Sequence, residues 1–117
     1  MQTTSNQSSL KLAFGVHHAP VPAPAKVVRQ VESADQALAI SIRAGGHKLA
    51  YIAACIGKSV PYVSQLQNGK RAIPDRLVMP LCAATGSLLL RQFLDLQAAL
   101  DEVNDVERLA ELLRAAA

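Results

Sequence analysis

Tryptophan is absent from the chain, and phenylalanine and tyrosine occur only twice each among 117 residues. The core must therefore be built from Leu, Val, Ile and Ala. Runs of β-branched residues are few, so helices packed on helices are favoured over a sheet. No apolar run reaches the roughly 18 residues of a membrane-spanning helix, so no membrane role is expected. The N-terminus lacks the charged start, apolar stretch and cleavage site of a signal peptide, which points to the cytoplasm. The two cysteines, Cys55 and Cys82, fall in separate apolar, helix-like segments. Buried free thiols are the expected state, since no CxxC or His/Cys cluster suggests zinc. The pair His17-His18 has no further ligand nearby, so no metal or other cofactor is expected. No Ser/His/Asp set can be assembled, and no enzyme is expected.

Acidic residues are scarce in one region only. Residues 36–94 hold seven cations (Arg43, Lys48, Lys58, Lys70, Arg71, Arg76 and Arg91) and one acid, Asp75. Residues 95–117 reverse the balance, with six acids against Arg108 and Arg114. A basic, acid-poor middle is the footprint expected of a phosphate-binding surface.

The chain divides by composition. Residues 1–30 are polar and then proline-rich, and are expected to form a flexible arm with one apolar patch at 10–16. Residues 31–100 should form the domain. Ser33 caps a first helix ended by Gly45-Gly46, with Ala34, Ala37, Leu38, Ile42 and either Ser41 or Ile40 facing inward. Leu49, Ile52, Ala53 and Ile56 form one face of a second helix, stopped at Gly57. A fourth helix falls within 75–85, with Pro80 in its first turn or kinking it. A fifth covers about 88–100. Asn104 and Glu107 have capping-box spacing, so a separate acidic amphipathic helix is expected over 101–117.

The most informative stretch is GKSVPYVSQLQNGKR, residues 57–71. Ser59 is a good N-cap, and Pro61 at the second helical position loses no needed hydrogen bond. Val60, preceding proline, can itself be the boundary. Val63 and Leu66 face the core, and Asn68-Gly69 stops the helix after about two turns. Two short helices joined by a glycine-containing turn form the helix-turn-helix pattern. Ala53 supplies the small residue for the crossing, and Gly57 the positive φ of the turn.

Residues 52–74, IAACIGKSVPYVSQLQNGKRAIP, resemble the helix-turn-helix of the Cro/cI phage-repressor family, also called the XRE family. Ile52-Ala53, Gly57, Ser64, Leu66, Asn68-Gly69 and Pro74 match its pattern in type and spacing. The resemblance implies an all-α, five-helix lambda-repressor-like domain plus a C-terminal helix. It implies a DNA-binding transcription regulator of phage or bacterial type, with a recognition helix over about 59–67 in the major groove. Ser59, Val60, Pro61 and Gln65 are then placed at base edges. Gln65 can pair with adenine, while Val60 and Pro61 offer only apolar contact. Lys48, Tyr62, Ser64, Asn68, Lys70 and Arg71 are placed at the phosphate backbone. Tyr62 has a second reading, as a side chain packed under the turn.

Two positions depart from the family. Gln67 stands where a glutamate commonly pairs with an arginine of the first helix, here Arg43. Leu49 stands where a phosphate-contacting glutamine is common. A module this small is expected to act as a homodimer on an inverted repeat. Phe93, Leu96, Val106, Leu109 and Leu113 are the candidate dimer interface. Two rival readings keep the fold: an antitoxin-like protein whose arm or acidic tail binds a toxin, and a helix-turn-helix module that binds protein instead of DNA.

Overall fold

Glycines and capping serines divide the chain into helices. The structure, a computed structural model, describes residues 19–116. It holds α1 (Ala25–Gln30), α2 (Ala34–Gly45), α3 (Leu49–Ile56), α4 (Val60–Gln67), α5 (Asp75–Thr85) and α6 (Leu89–Ala116). No β-strand occurs among the described residues, only an isolated bridge between Val21 and Ser87. The all-α class is as expected. The apolar patch 10–16 and the His17-His18 pair lie outside the described residues.

Start signals act locally. Ser33 Oγ accepts from Gln36 N–H at 3.3 Å, and Gln36 reaches back to Glu32 N–H at 2.6 Å. Two free donors at the start of α2 are thereby satisfied. At its other end, Gly45 has a separate reason to be glycine. A Cβ there would lie 2.5 Å from the Thr85 carbonyl oxygen, so the C-terminal ends of α2 and α5 meet backbone to backbone.

The core joins all six helices. Leu38, Ile52, Val63, Leu66, Val78, Leu81, Leu89 and Leu90 are fully buried. Of the two candidates on α2, Ser41 is buried and Ile40 is exposed. The Ser41 hydroxyl donates to the Ala37 carbonyl at 2.9 Å, and Thr85 donates to Leu81 at 2.9 Å. Each buried hydroxyl is thus satisfied within its own helix. Pro80 lies inside α5, past its first turn, on the exposed face.

Four expectations need correction. The fold begins before residue 31. Val28 and Val31 are buried, and residues 21–23 are bound to the start of α6. Val21 N–H donates to Gly86 O at 3.0 Å and Leu88 N–H to Val21 O at 2.9 Å. The Gln92 carboxamide accepts from Ala23 N–H at 2.8 Å and donates to Ala23 O at 3.0 Å. Second, no break occurs near Asn104. Residues 88–117 contain neither Gly nor Pro, and α6 runs unbroken for 28 residues, about 42 Å. Third, Phe93 is no interface residue, because it lies in the chain's own core, with Leu96 half-buried against it. Fourth, both thiols are free as expected, but only Cys82 is buried, and Cys55 is exposed on α3. Burial pushes the Cys82 thiol above its ordinary range, and Arg91 partly offsets this.

The contact at Gly45 is backbone on backbone, so it has no side chain to yield. Gly45→Ala should therefore destabilise the fold by about 1–3 kcal/mol through overpacking. Urea unfolding should give a lower midpoint with unchanged slope. An unaltered midpoint would mean that the two helix ends separate freely.

Candidate functional site

The candidate DNA-contact residues other than Lys48 lie on α4 or directly beside it in the chain. Two devices place this helix. Before it, α3 closes with Gly57 at φ 70°, and Lys58 N–H returns to Ala53 O at 2.9 Å. That conformation suits glycine and turns the chain sharply. After it, Lys70 N–H returns to Gln65 O at 3.0 Å with Gly69 at φ 75°. The positive φ favours glycine there, and a Cβ at Gly69 would lie 3.0 Å from an Asp35 carboxylate oxygen, which would have to shift by a few tenths of an ångström.

Ser59 caps α4 and accepts from Tyr62 N–H at 3.3 Å. Val60 is the first helical residue, so the boundary lies at Ser59. Val63 and Leu66 are fully buried, and Ala53 is buried on α3. The rest of α4 faces outward or sits at its edges. Ser59, Val60 and Pro61 are exposed, and Gln65 is half-buried.

Tyr62 is half-buried against the core and is covered by two cations. Lys58 Nζ lies 5.2 Å from its ring centre and Arg71 Cζ lies 4.8 Å from it. Packing under the turn is therefore part of what Tyr62 does. The Arg71 Nε–H donates to Gln65 Oε1 at 2.9 Å. Ser59, Tyr62, Gln65 and Arg71 thus form one connected group, which Lys58 joins over the Tyr62 ring. On another side, Asn68 Nδ2 donates to Ser64 Oγ at 3.3 Å.

Lys48 is the exposed N-cap residue of α3. It shares an open cleft of about 610 Å³ with Arg43, His47, Gln67 and Asn68. Arg43 and Gln67 both line this cleft, but no hydrogen bond joins them. Lys70 is exposed beyond α4. Among the candidate dimer residues, Val106, Leu109 and Leu113 are more than half exposed on the outer part of α6. They lie well away in sequence from the α4 group.

Sequence reasoning missed Lys58 and His47 as members of this surface. Lys58 lies four positions before Tyr62, a spacing that signals the ring contact. His47 stacks on Tyr51 with ring centres 4.3 Å apart, again at a spacing of four. Chemically, the surface offers hydroxyl, amide and cationic donors. Among the described residues no group of His, Cys, Asp and Glu is arranged to hold a metal, and no helix is long and apolar enough to cross a membrane. No protein-family model, curated protein or solved structure matches the chain.

The Ser59 cap supplies a hydrogen bond that α4 cannot replace internally. Ser59→Ala should lower stability by about 1 kcal/mol. Thermal unfolding by circular dichroism measures it, and an unchanged transition would show that the cap is dispensable.

Proposed function

We propose that the chain is a sequence-specific DNA-binding transcription regulator with a lambda-repressor-like helix-turn-helix arrangement. In this reading α4 enters the major groove. The observation that carries it is the outward side of α4. Ser59, Val60 and Pro61 lie open there and Gln65 is half-buried beside them, with Lys58, Lys70 and Arg71 around them, while the inward side is held by Val63 and Leu66. A groove-reading element needs this division, because its ligand-facing residues must be free of the core. The charge of the segment supports the same reading: Asp75 is the only acid against seven cations within 36–94, although the Asp35 carboxylate lies beside Gly69 at the end of α4. The cleft at Lys48, with Arg43 and His47 beside it, suits a phosphate at the flank.

Electrophoretic mobility shift at two salt concentrations tests this reading. The duplexes are the DNA immediately upstream of the coding sequence and a scrambled version. The native duplex should bind more tightly. Gln65→Ala should erase the preference. Lys70→Ala should weaken both duplexes alike and reduce the salt slope by about 1. Absence of binding to either duplex near physiological salt would overturn the reading.

The regulator is proposed to act as a homodimer through the projecting half of α6. From Gln97 onward every residue of that half except Ala110 is exposed. Leu96, Ala99, Val103, Val106, Ala110 and Leu113 recur at alternating spacings of three and four, the seam of a two-stranded coiled coil. Val106→Asp should convert dimers to monomers in analytical ultracentrifugation, and a persistent dimer would remove α6 from the interface. The same half of α6 favours a second reading, in which its acids and exposed leucines bind a basic protein partner, as an antitoxin would. A monomeric chain that co-purifies with a basic partner would support it.

A further inference from the structure

We propose that Arg71 reads a guanine base, with Gln65 and Tyr62 as its positioning residues; this rests on the DNA-binding reading above. Sequence alone places Arg71 among the phosphate contacts, because it follows the helix and the Gly69 turn. The structure draws its side chain back. Its Nε–H is bound to Gln65 Oε1 at 2.9 Å, and its guanidinium carbon lies 4.8 Å from the Tyr62 ring centre. Tyr62 and Gln65 are three apart on α4, so they share one side of that helix. The guanidinium is therefore fixed on the side of α4 that carries Gln65.

The fixing leaves a particular edge open. A guanidinium has five N–H donors and no acceptor. The Nε–H is engaged, while Nη1 and Nη2 meet no acceptor among the described residues. What remains is a planar fork whose Nη1 and Nη2 donors are unengaged. Two adjacent acceptors match it, and in the major groove guanine O6 and N7 supply them. Adenine does not, because its N6 amino group is a donor beside N7. A phosphate contact requires charge and reach, but neither a ring contact nor a tether at Nε. Lys70, the neighbouring cation, has neither and keeps the backbone role.

Gln65 then has a changed part. Its Oε1 holds Arg71, and its amide NH2 remains for a neighbouring acceptor. Tyr62 restricts the position of the fork through the contact of the guanidinium with its ring. The three side chains become a single reading unit.

The experiment is selection from a randomised duplex library with the full chain, followed by binding to the selected sequence. The wild type should enrich a motif with a guanine at one fixed position of each half-site. Arg71→Ala removes the fork and should lose preference at that position alone, by about 10- to 100-fold. Gln65→Ala should relax the same position. Replacing that guanine by 7-deazaguanine, which lacks N7, should weaken the wild type and leave Arg71→Ala unaffected. If Arg71→Ala enriches the wild-type motif and merely binds it more weakly, Arg71 is a backbone contact and the inference is overturned. If the wild type enriches nothing, the DNA-binding reading itself falls, and the inference with it.

Discussion

An eight-residue helix does not hold itself together in water, because nucleation is unfavourable and too few hydrogen bonds follow it. The persistence of α4 therefore depends on burial of Val63 and Leu66, both with no exposed surface. Each contributes roughly 1.5–3 kcal/mol when fully buried. Their packing needs a close approach by α3, and Ala53 is small enough to allow it. Everything else about the candidate surface follows from this contact. It sets which residues of α4 turn outward, and it brings the chain beyond Gly69 back alongside them.

The second organising feature is the hold on the start of α6. Its early residues, Leu89, Leu90 and Phe93, belong to the core, while residues 21–23 are bonded to Gly86, Leu88 and Gln92. The base of the long helix is thus fixed from two directions before it leaves the body of the fold. Charge divides along the same boundary. Cations surround α3 and α4, and the acids concentrate on the part of α6 that projects.

Much of this is legible in the sequence, and the reasons are local. The bounds of α2, α3 and α4 follow from Ser33, Ser59 and the glycines after each helix, whose effects act within a turn. The inward faces follow from spacing. What is not legible depends on distant partners. Nothing around Val21 and Ala23 announces that a carboxamide 69 positions beyond Ala23 will bond to both sides of its peptide. Asn104 carries a valid capping signal, but with no glycine or proline beside it the helix continues. Phe93 reads as surplus apolar surface until α1 and the segment before it are added to the core. At the candidate site, the membership of the α4 group is readable from residue type. The bond from Arg71 to Gln65 is not, because it depends on how the chain returns after Gly69.

Since α4 is held by only two inward side chains, its outward positions carry little of the fold's stability. Ser59 is the exception, through its cap, and Tyr62 packs partly inward. Val60, Pro61 and Gln65 can be exchanged with little penalty to folding. Under the proposed reading, binding preference and foldability are then separable traits. A lineage of such chains could drift from one target sequence to another through viable intermediates. The pattern of tolerated substitutions along α4 would record that history: near-constant at Val63 and Leu66, and diverse on the side that meets the ligand.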